Sequence, residues 1–336
     1  MNLERKKTLT RALVLCVAAL VLLLGGIAIL DLMQKEQYAE ARGPGTDEFM
    51  QANTVIWNGE KYQKTPAVTT ILIAGIDREA NELQGISTSR YRNGGQADFL
   101  ILLAIDHSNR QIHQLQIDRD TMTDVTVLSV YGRETGTRVM QICLSHSYGA
   151  NKNENAKYTM TAVRHLMNDL EIAGYYMVDY SAVSELNDAL GGIEVTVPDD
   201  MTSVNPLWEK GKKITLKGSE AELFVRTRQT VGKGTNEERM GRQNEFMRNA
   251  INQLRHQLSS DSGFGSSLLS TLKNNATTNL SDQQLLEELN QSSNYQVLPV
   301  EYLEGEYKIG DSGYMEFYAK EDSAESWIYR NLYTKL

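Results

Sequence analysis

Two aspartates and a set of guanidinium groups are the residues of this chain that could do chemistry. Asp77, Asp98 and Arg119 lie in its first half, and Arg226, Arg228, Arg239 and Gln243 in its second. At a net charge of -9, the protein has little electrostatic reason to gather arginines at element ends unless something anionic binds there. The planar fork of arginine matches phosphate oxygens two at a time. Aspartates among such arginines can hold a hard cation or accept a proton.

The elements that must position these residues follow from apolar spacing. Thr70–Ile76 (TILIAGI), Phe99–Ile105 (FLILLAI) and Gln111–Ile117 (QIHQLQI) read as strands, the second apolar enough to be buried on both faces. The short DHSNR turn makes the last two an antiparallel hairpin. Asp98 opens that hairpin while Arg119 and Asp120 close it, so Asp98 and Arg119 are expected to be neighbours. If the Thr70–Ile76 strand ends at the same edge, Asp77 and Arg78 join them where open α/β sheets bind ligands. Solvated strand-end salt bridges are the other reading of the same residues.

In LFVRTR, period two puts Phe224, Arg226 and Arg228 on one face of a strand, with the arginines about 7 Å apart, fit to straddle a diphosphate. Edge arginines that deter aggregation are the alternative. Along a helix from Glu237 to Leu258, Arg239 and Gln243 project beside the stripe of Phe246, Met247, Ala250, Ile251 and Leu254, while Arg242 lies well to its side. The N-terminus of that helix also favours anions. VGKGT at Val231–Thr235 lacks the spacing of a phosphate-cradling loop, and no G-x-S-x-G elbow is present.

Composition excludes other chemistries. Only Cys16 and Cys143 occur, and the five histidines show no zinc spacing. An acidic chain without a basic patch is not expected to bind nucleic acid. Ala12–Leu30 carries no charge and as a helix at about 1.5 Å per residue spans roughly 30 Å, the thickness of a bilayer core. Arg5, Lys6, Lys7 and Arg11 precede it, so the positive-inside bias predicts a single-pass type II anchor in the cell membrane with the C-terminal part extracellular.

The expected layout is a cytoplasmic N-terminus at 1–11, a transmembrane helix at 12–30, a stalk or accessory segment at 31–65 and an extracellular catalytic domain at 66–336. Helical spacing after Asn155, a candidate cap, YYMVDY followed by a helix from Ser181 to Gly191-Gly192, a GIEVTV/KITL hairpin, SDQQLLEEL, the strand YQVLPV and a terminal ESWIYRNLY helix alternate along it. Ser259–Asn279 reads as a surface loop or loose helix. The fold class is α/β: a single domain with a central mainly antiparallel or mixed sheet flanked by helices on both faces, plus the N-terminal transmembrane helix.

The order of motifs resembles the LytR-CpsA-Psr family of extracytoplasmic glycopolymer transferases. The matching pieces are ILIAGIDR at 71–78, ADFLILLAID at 97–106, IDRDT at 117–121, SHSYG at 145–149, LNDALGGIEV at 186–195, KGSEAELFVRTR at 217–228 and ERMGRQ at 238–243. The resemblance implies that Asp77 and Asp98 lie at a site for Mg²⁺ or another hard divalent cation. It implies that Arg119, Arg226, Arg228, Arg239 and Gln243 hold a pyrophosphate, and that a hydrophobic pocket takes a polyprenyl tail. Two positions depart from the family pattern. Gln96 stands where an arginine is usual, and Asp118 replaces a proline, an extra carboxylate expected to weaken phosphate binding beside Arg119.

The implied activity is that of a membrane-anchored phosphotransferase, moving a glycopolymer such as teichoic acid or capsule from undecaprenyl pyrophosphate to peptidoglycan. Asp98, or else Asp77, would accept the hydroxyl proton, with Arg119 as a third catalytic residue. A non-catalytic, regulatory binder of polyprenyl pyrophosphates or wall polyanions and a lipid pyrophosphatase are the competing readings. Because the expected core lies beyond the stalk, deletion of residues 1–31 is predicted to leave a soluble protein that melts cooperatively; calorimetry checks this, and aggregation without a transition would refute the layout.

Overall fold

The computed structural model describes residues 54–65, 67–77, 94–129, 131–228 and 230–336. The expected membrane anchor at 12–30, the first part of the stalk and Arg78 lie outside the described residues. Among the described residues no helix is long and apolar enough to cross a membrane. The chain divides into a smaller unit, residues 1–64 with 335–336, and a larger one, Thr65–Thr334.

In the smaller unit β1 (Thr54–Trp57) pairs antiparallel with β2 (Glu60–Lys64). The stretch read as a stalk thus contains a hairpin. Its signal is Asn58-Gly59, both at positive φ (48° and 78°), the two-residue turn whose twist suits flanking strands.

The larger unit continues with β3 (Val68–Asp77), β4 (Gln96–Asp106), β5 (Gln111–Ile117), β6 (Met122–Leu128) and β7 (Glu134–Gln141). After a 3₁₀ segment at Ile142–Ser147 come α1 (Lys152–Leu166), β8 (Gly174–Asp179) and α2 (Tyr180–Ala189). Next are β9 (Ile193–Thr196), β10 (Lys213–Leu216), α3 (Glu220–Arg226), α4 (Asn236–Ser260) and α5 (Phe264–Leu272). The chain then forms β11 (Ala276–Thr278), α6 (Asp282–Ser292), β12 (Gln296–Tyr302), β13 (Gly305–Ile309), β14 (Met315–Ala319) and α7 (Glu321–Leu332). Six strands make one mixed sheet in the order β11-β8-β3-β4-β5-β12. β3, β4 and β5 run antiparallel in turn, while β8 lies parallel to β3 and β12 parallel to β5.

The central strands are apolar throughout because both sheet faces are covered. Leu72, Ala74, Leu100, Leu102 and Ala104 point into one core with Ala162 and Val163 of α1 and Trp327 and Ile328 of α7. Ile71, Ile73, Leu103 and Ile105 point to the opposite face. Alternation along β4 breaks at one place. Gly75 faces Phe99 but Ile76 faces Ala97, so Asp98 is the unpaired residue of a β-bulge. Strict period two would aim Asp98 into the same apolar layer as Leu100. The bulge sends Ala97 there instead and turns the carboxylate out, as bulges do beside functional sites.

Several local expectations change. LFVRTR is not a strand: Glu220–Arg226 is the helix α3. Its Ala221, Phe224 and Val225 recur at helical spacing and are buried with Tyr180, Ile193 and Trp208. The glutamates of its first turn suit a helix N-terminus. The cap of α1 is Asn151, whose side chain accepts from the Glu154 N–H (3.0 Å), whereas Asn155 is buried and accepts from Gly149. Residues 259–279 hold α5 and β11, with Leu268 and Leu272 of α5 buried.

Arg242 departs furthest from its expected place. Rather than lying to the side of the α4 stripe, it is fully buried. Its guanidinium donates to the carbonyl oxygens of Phe224 (3.2 Å) and Thr227 and pairs with Asp199 (3.0 Å). These are end carbonyls of α3, which have no intrahelical partner of their own. Burial draws the Arg242 pKa below the usual value, opposed by Asp199. Arg242→Leu strands Asp199 and those carbonyls and is expected to destabilise the fold by about 3 kcal/mol, or roughly 6–12 °C in Tm. Arg248→Ala on the exposed face of α4 should leave Tm unchanged in the same calorimetric comparison.

Candidate functional site

The carboxyl end of β3, the bulge of β4, the turn after β5, the end of α3 and the start of α4 converge on one cluster. Asp98, 6% exposed, is its centre. Arg239 of α4 donates to its Oδ2 (2.7 Å), and Arg119, just past β5, pairs with its Oδ1. The expected proximity of Asp98 and Arg119 is therefore present. Arg119 also donates to Gln96 Oε1 and to Cys143 Sγ (3.1 Å) and stands 3.4 Å from Asp120. Arg239 is further fixed by Asn236 Oδ1, at 3.1 Å from Nε and 2.6 Å from Nη2.

Asp77 closes β3 one step from this centre. Arg226, the last residue of α3, donates to its Oδ1 (2.6 Å) and to Glu222 (3.3 Å). Burial, with the Asp98 charge next, pushes the Asp77 carboxyl above the ordinary aspartate range against the opposing pull of Arg226 and Arg119. Arg228 does not sit beside Arg226 on a common face, because the helix ends at Arg226 and the backbone turns extended at Thr227. Its Nε donates to Gly234 O (3.2 Å), and its charge acts on Asp120 rather than Asp77. Burial and Asp118 push the Asp120 carboxyl up, and Asp120 Oδ2 is buried with no hydrogen-bond partner. The Cys143 thiol, buried beneath Arg119, is pushed up to about 11 and stays protonated.

Gln243 faces inward as expected, accepting from Gln116 (3.3 Å) and reaching Val225 O (3.5 Å). The two departures from the family pattern are both absorbed locally. Gln96 orients Arg119. Asp118 turns toward Asn236 (2.8 Å), Tyr307 (2.5 Å) and the Asp120 N–H (2.8 Å), so its carboxylate is spent as a strut behind the cluster.

Beside the ionic cluster lies an apolar cavity of about 330 Å³ between the sheet and the helices α2, α4, α5 and α6. Ile71, Ile73, Phe99, Leu103, Phe246 and Leu268 are among its walls. Gln243 and Tyr180 line it as well and link it to the cluster. Tyr180, Asn236 and Arg242 are the members that pattern reading missed. Tyr180 reads as the last position of a strand, and Asn236 falls just before the expected helix start at Glu237.

The ionic cluster thus adjoins an apolar cavity, with Tyr180 common to both. The LytR_cpsA_psr family matches residues 34–330. The chain belongs to that family. Among curated family relatives, the polyisoprenyl-teichoic acid–peptidoglycan teichoic acid transferase TagU of Halalkalibacterium halodurans is 27% identical over 49% of this chain and 46% of its own length. TagU of Bacillus cereus (strain AH820) is 25% identical over 68% of this chain and 66% of its own. The match thus spans between about half and two-thirds of these relatives. The fold is shared with Bacillus subtilis TagV (20% identity, 77% of this chain and 93% of that one, TM-score 0.58). It is shared as well with TagT bound to LI-WTA (18% identity, 79% and 90%, TM-score 0.58).

The raised Asp77 pKa has a consequence for stability. An acid whose pKa is raised by folding binds more protons in the native than in the unfolded state, so stability falls as pH climbs above the unfolded value near 3.9. Asp77→Asn keeps a hydrogen bond to Arg226 and removes that charge. At pH 7 it should melt at or above the wild-type temperature, with the difference vanishing as pH drops below about 4. A clear loss of Tm at pH 7 would show that the Asp77–Arg226 pair outweighs burial and repulsion.

Proposed function

We propose that this protein is a membrane-anchored transferase that moves a glycosyl phosphate from a polyprenyl (undecaprenyl) pyrophosphate carrier to a hydroxyl of peptidoglycan. The observation that carries this reading is the apolar cavity adjoining three arginines and two aspartates. Such a site fits an amphiphile with a long apolar tail and an anionic head. The names of the TagU relatives and the uncharged run at 12–30 support the same substrate and location.

In the reaction, the acceptor hydroxyl oxygen bonds to the phosphorus that bears the glycan. The bond from that phosphorus to the bridging oxygen breaks, and polyprenyl phosphate leaves with the bridging oxygen. Arg119, Arg226 and Arg239 surround the phosphates and offset the charge that shifts to the leaving group. Arg228, hydrogen-bonded to Gly234 O, supports the turn of the chain around them. The proton of the acceptor goes to Asp77. Asp98 is clamped on both oxygens by guanidiniums and would have to break a buried ion pair to take it, whereas Asp77 is partly exposed and is paired to Arg226 through Oδ1.

The donor set fits a hard cation. The Asp98 charge raises the cost of ionising Asp77, the buried Cys143 thiol stays protonated, and Mg²⁺ is usually held by one or two carboxylates with substrate phosphates completing its shell. Among the described residues no group of three or more acids, histidines or cysteines could hold a metal without a ligand. Asp77 and Asp98 would hold Mg²⁺ together with the pyrophosphate, and it would supply charge neutralisation there.

The test is incubation of the purified full chain with a polyprenyl-pyrophosphate-linked glycan and peptidoglycan oligomers, with and without Mg²⁺. Glycan phosphate on peptidoglycan plus free polyprenyl phosphate is the expected product, lost on chelation and restored by Mg²⁺. Glycan phosphate released to water would identify a pyrophosphatase, and binding without turnover a non-catalytic binder. Arg226→Lys keeps the charge but loses the two-donor fork, and should lower transfer about tenfold. Equal rates would remove Arg226 from the phosphate site.

A further inference from the structure

Tyr180 is the first residue of α2 and one of the largest polar side chains at the cavity. It is 3% exposed, yet its phenol oxygen is buried with no hydrogen-bond partner. A buried hydroxyl left unpaired costs free energy, and native structures keep few of them. The surroundings of this one are specific. The Arg226 guanidinium lies over the Tyr180 ring, 5.4 Å from its centroid. Burial is the largest influence raising the phenol pKa, and the charges of Asp98, Arg239, Asp77 and Arg119 all act on it. The hydroxyl therefore stays protonated as a donor in the field of the ionic cluster, while the ring lies under Arg226 and lines the apolar cavity.

The backbone favours an anion at the same place. β8 lies parallel to β3 with Asp179 opposite Ile76, so α2 starts beside the end of β3, where Asp77 stands. The Asp179 side chain makes no cap to α2 and is drawn to Lys152 (3.1 Å). The first N–H groups of α2 are thus without a side-chain acceptor, and the helix end carries partial positive charge. Ser181 Oγ, the next hydroxyl along, is likewise buried without a partner.

We propose that Tyr180 is a specificity-determining residue that donates its phenol hydrogen to the phosphate attached to the lipid, at the junction of cavity and cluster. This rests on the reading of the site as a polyprenyl pyrophosphate site and deepens it. The ring packs against the first carbons of the tail, and the hydroxyl recognises the oxygen where the chain becomes a phosphate ester. The ligand class assigned to this position is a lipid phosphate monoester or diester, not a free alcohol or a fatty acid. The Arg226 cation over the ring sharpens the donor and holds its orientation.

The test is binding of polyprenyl phosphate and of the uncharged polyprenol to wild type and to Tyr180→Phe in detergent micelles, measured by calorimetry with melting curves alongside. Phenylalanine keeps the ring, the packing and the Arg226 stack and removes one oxygen. The expected result is phosphate binding weakened about tenfold or more with polyprenol binding unchanged, the loss of a hydrogen bond to a charged group. A purely structural tyrosine would lower Tm, or weaken both ligands equally, and either outcome refutes the proposal. Equal affinity of both proteins for polyprenyl phosphate refutes it too while leaving the substrate reading intact. If wild type binds neither ligand, the substrate reading falls and this inference with it.

Discussion

The cluster depends on one buried carboxylate, Asp98, held between Arg119 and Arg239. A carboxylate this deep is costly unless it is paired and hydrogen-bonded, as Asp98 is on both oxygens. That requirement links three parts of the chain distant in sequence. Arg119 must follow β5, Arg239 must enter from the first turn of α4, and the β4 bulge must turn Asp98 away from the apolar layer. Breaking any of them leaves an unpaired buried charge. The same condition accounts for Asn236 and Gln96, which accept from further guanidinium donors and leave the two arginines little freedom to swing.

With the ionic cluster fixed on one side, the apolar side can remain open. Cavities lined only by aliphatic and aromatic groups are costly to leave unfilled in a close-packed protein. A cavity of about 330 Å³ persists here between sheet and helices because α2, α4, α5 and α6 are held apart by contacts elsewhere: α4 by Arg242 and Gln243 reaching the end of α3, and α5 by Leu268 and Leu272 against α2. The stability forgone at such a gap is the usual accompaniment of a binding site. Charge fixed at one end and an unfilled apolar volume at the other specify an amphiphile more narrowly than either feature would alone.

How much of this was legible in the sequence depended on the range of the interactions involved. Strands β3, β4 and β5, the hairpin of β9 with β10 and the helix from 236 were readable because local periodicity decides them. The Asp98–Arg119 pairing followed from the short DHSNR turn, whose register places the two ends together. LFVRTR failed because its apolar residues satisfy both periods, two and 3.6, over so short a run; burial of Ala221, Phe224 and Val225 against Trp208 and Tyr180 chose the helix. Arg242 failed for a different reason. On an isolated helix it lies off the apolar stripe, and only the packing of α3 against α4 makes that flank an interior. Tyr180 carried no sequence signal beyond a strand end, since its importance lies in a missing partner.

Asp118 and Gln96 show how substitutions at a charged site are read through their neighbours. An aspartate beside Arg119 would compete with phosphate if its oxygens faced the cluster. They face Asn236 and Tyr307 instead, and the same Asn236 presents its carbonyl oxygen to Arg239. Asp118 therefore orients the amide that orients the arginine that holds Asp98. The burial and negative surroundings that push the Tyr307 phenol up keep it a donor in that chain. Gln96 supplies a neutral acceptor to Arg119, where a second guanidinium would repel it. Its effect is to reduce the positive charge of the cluster by one while fixing the geometry of what remains. Both departures thus leave Arg119, Arg226 and Arg239 in place around the two aspartates, with charge recognition resting on fewer and more rigid donors.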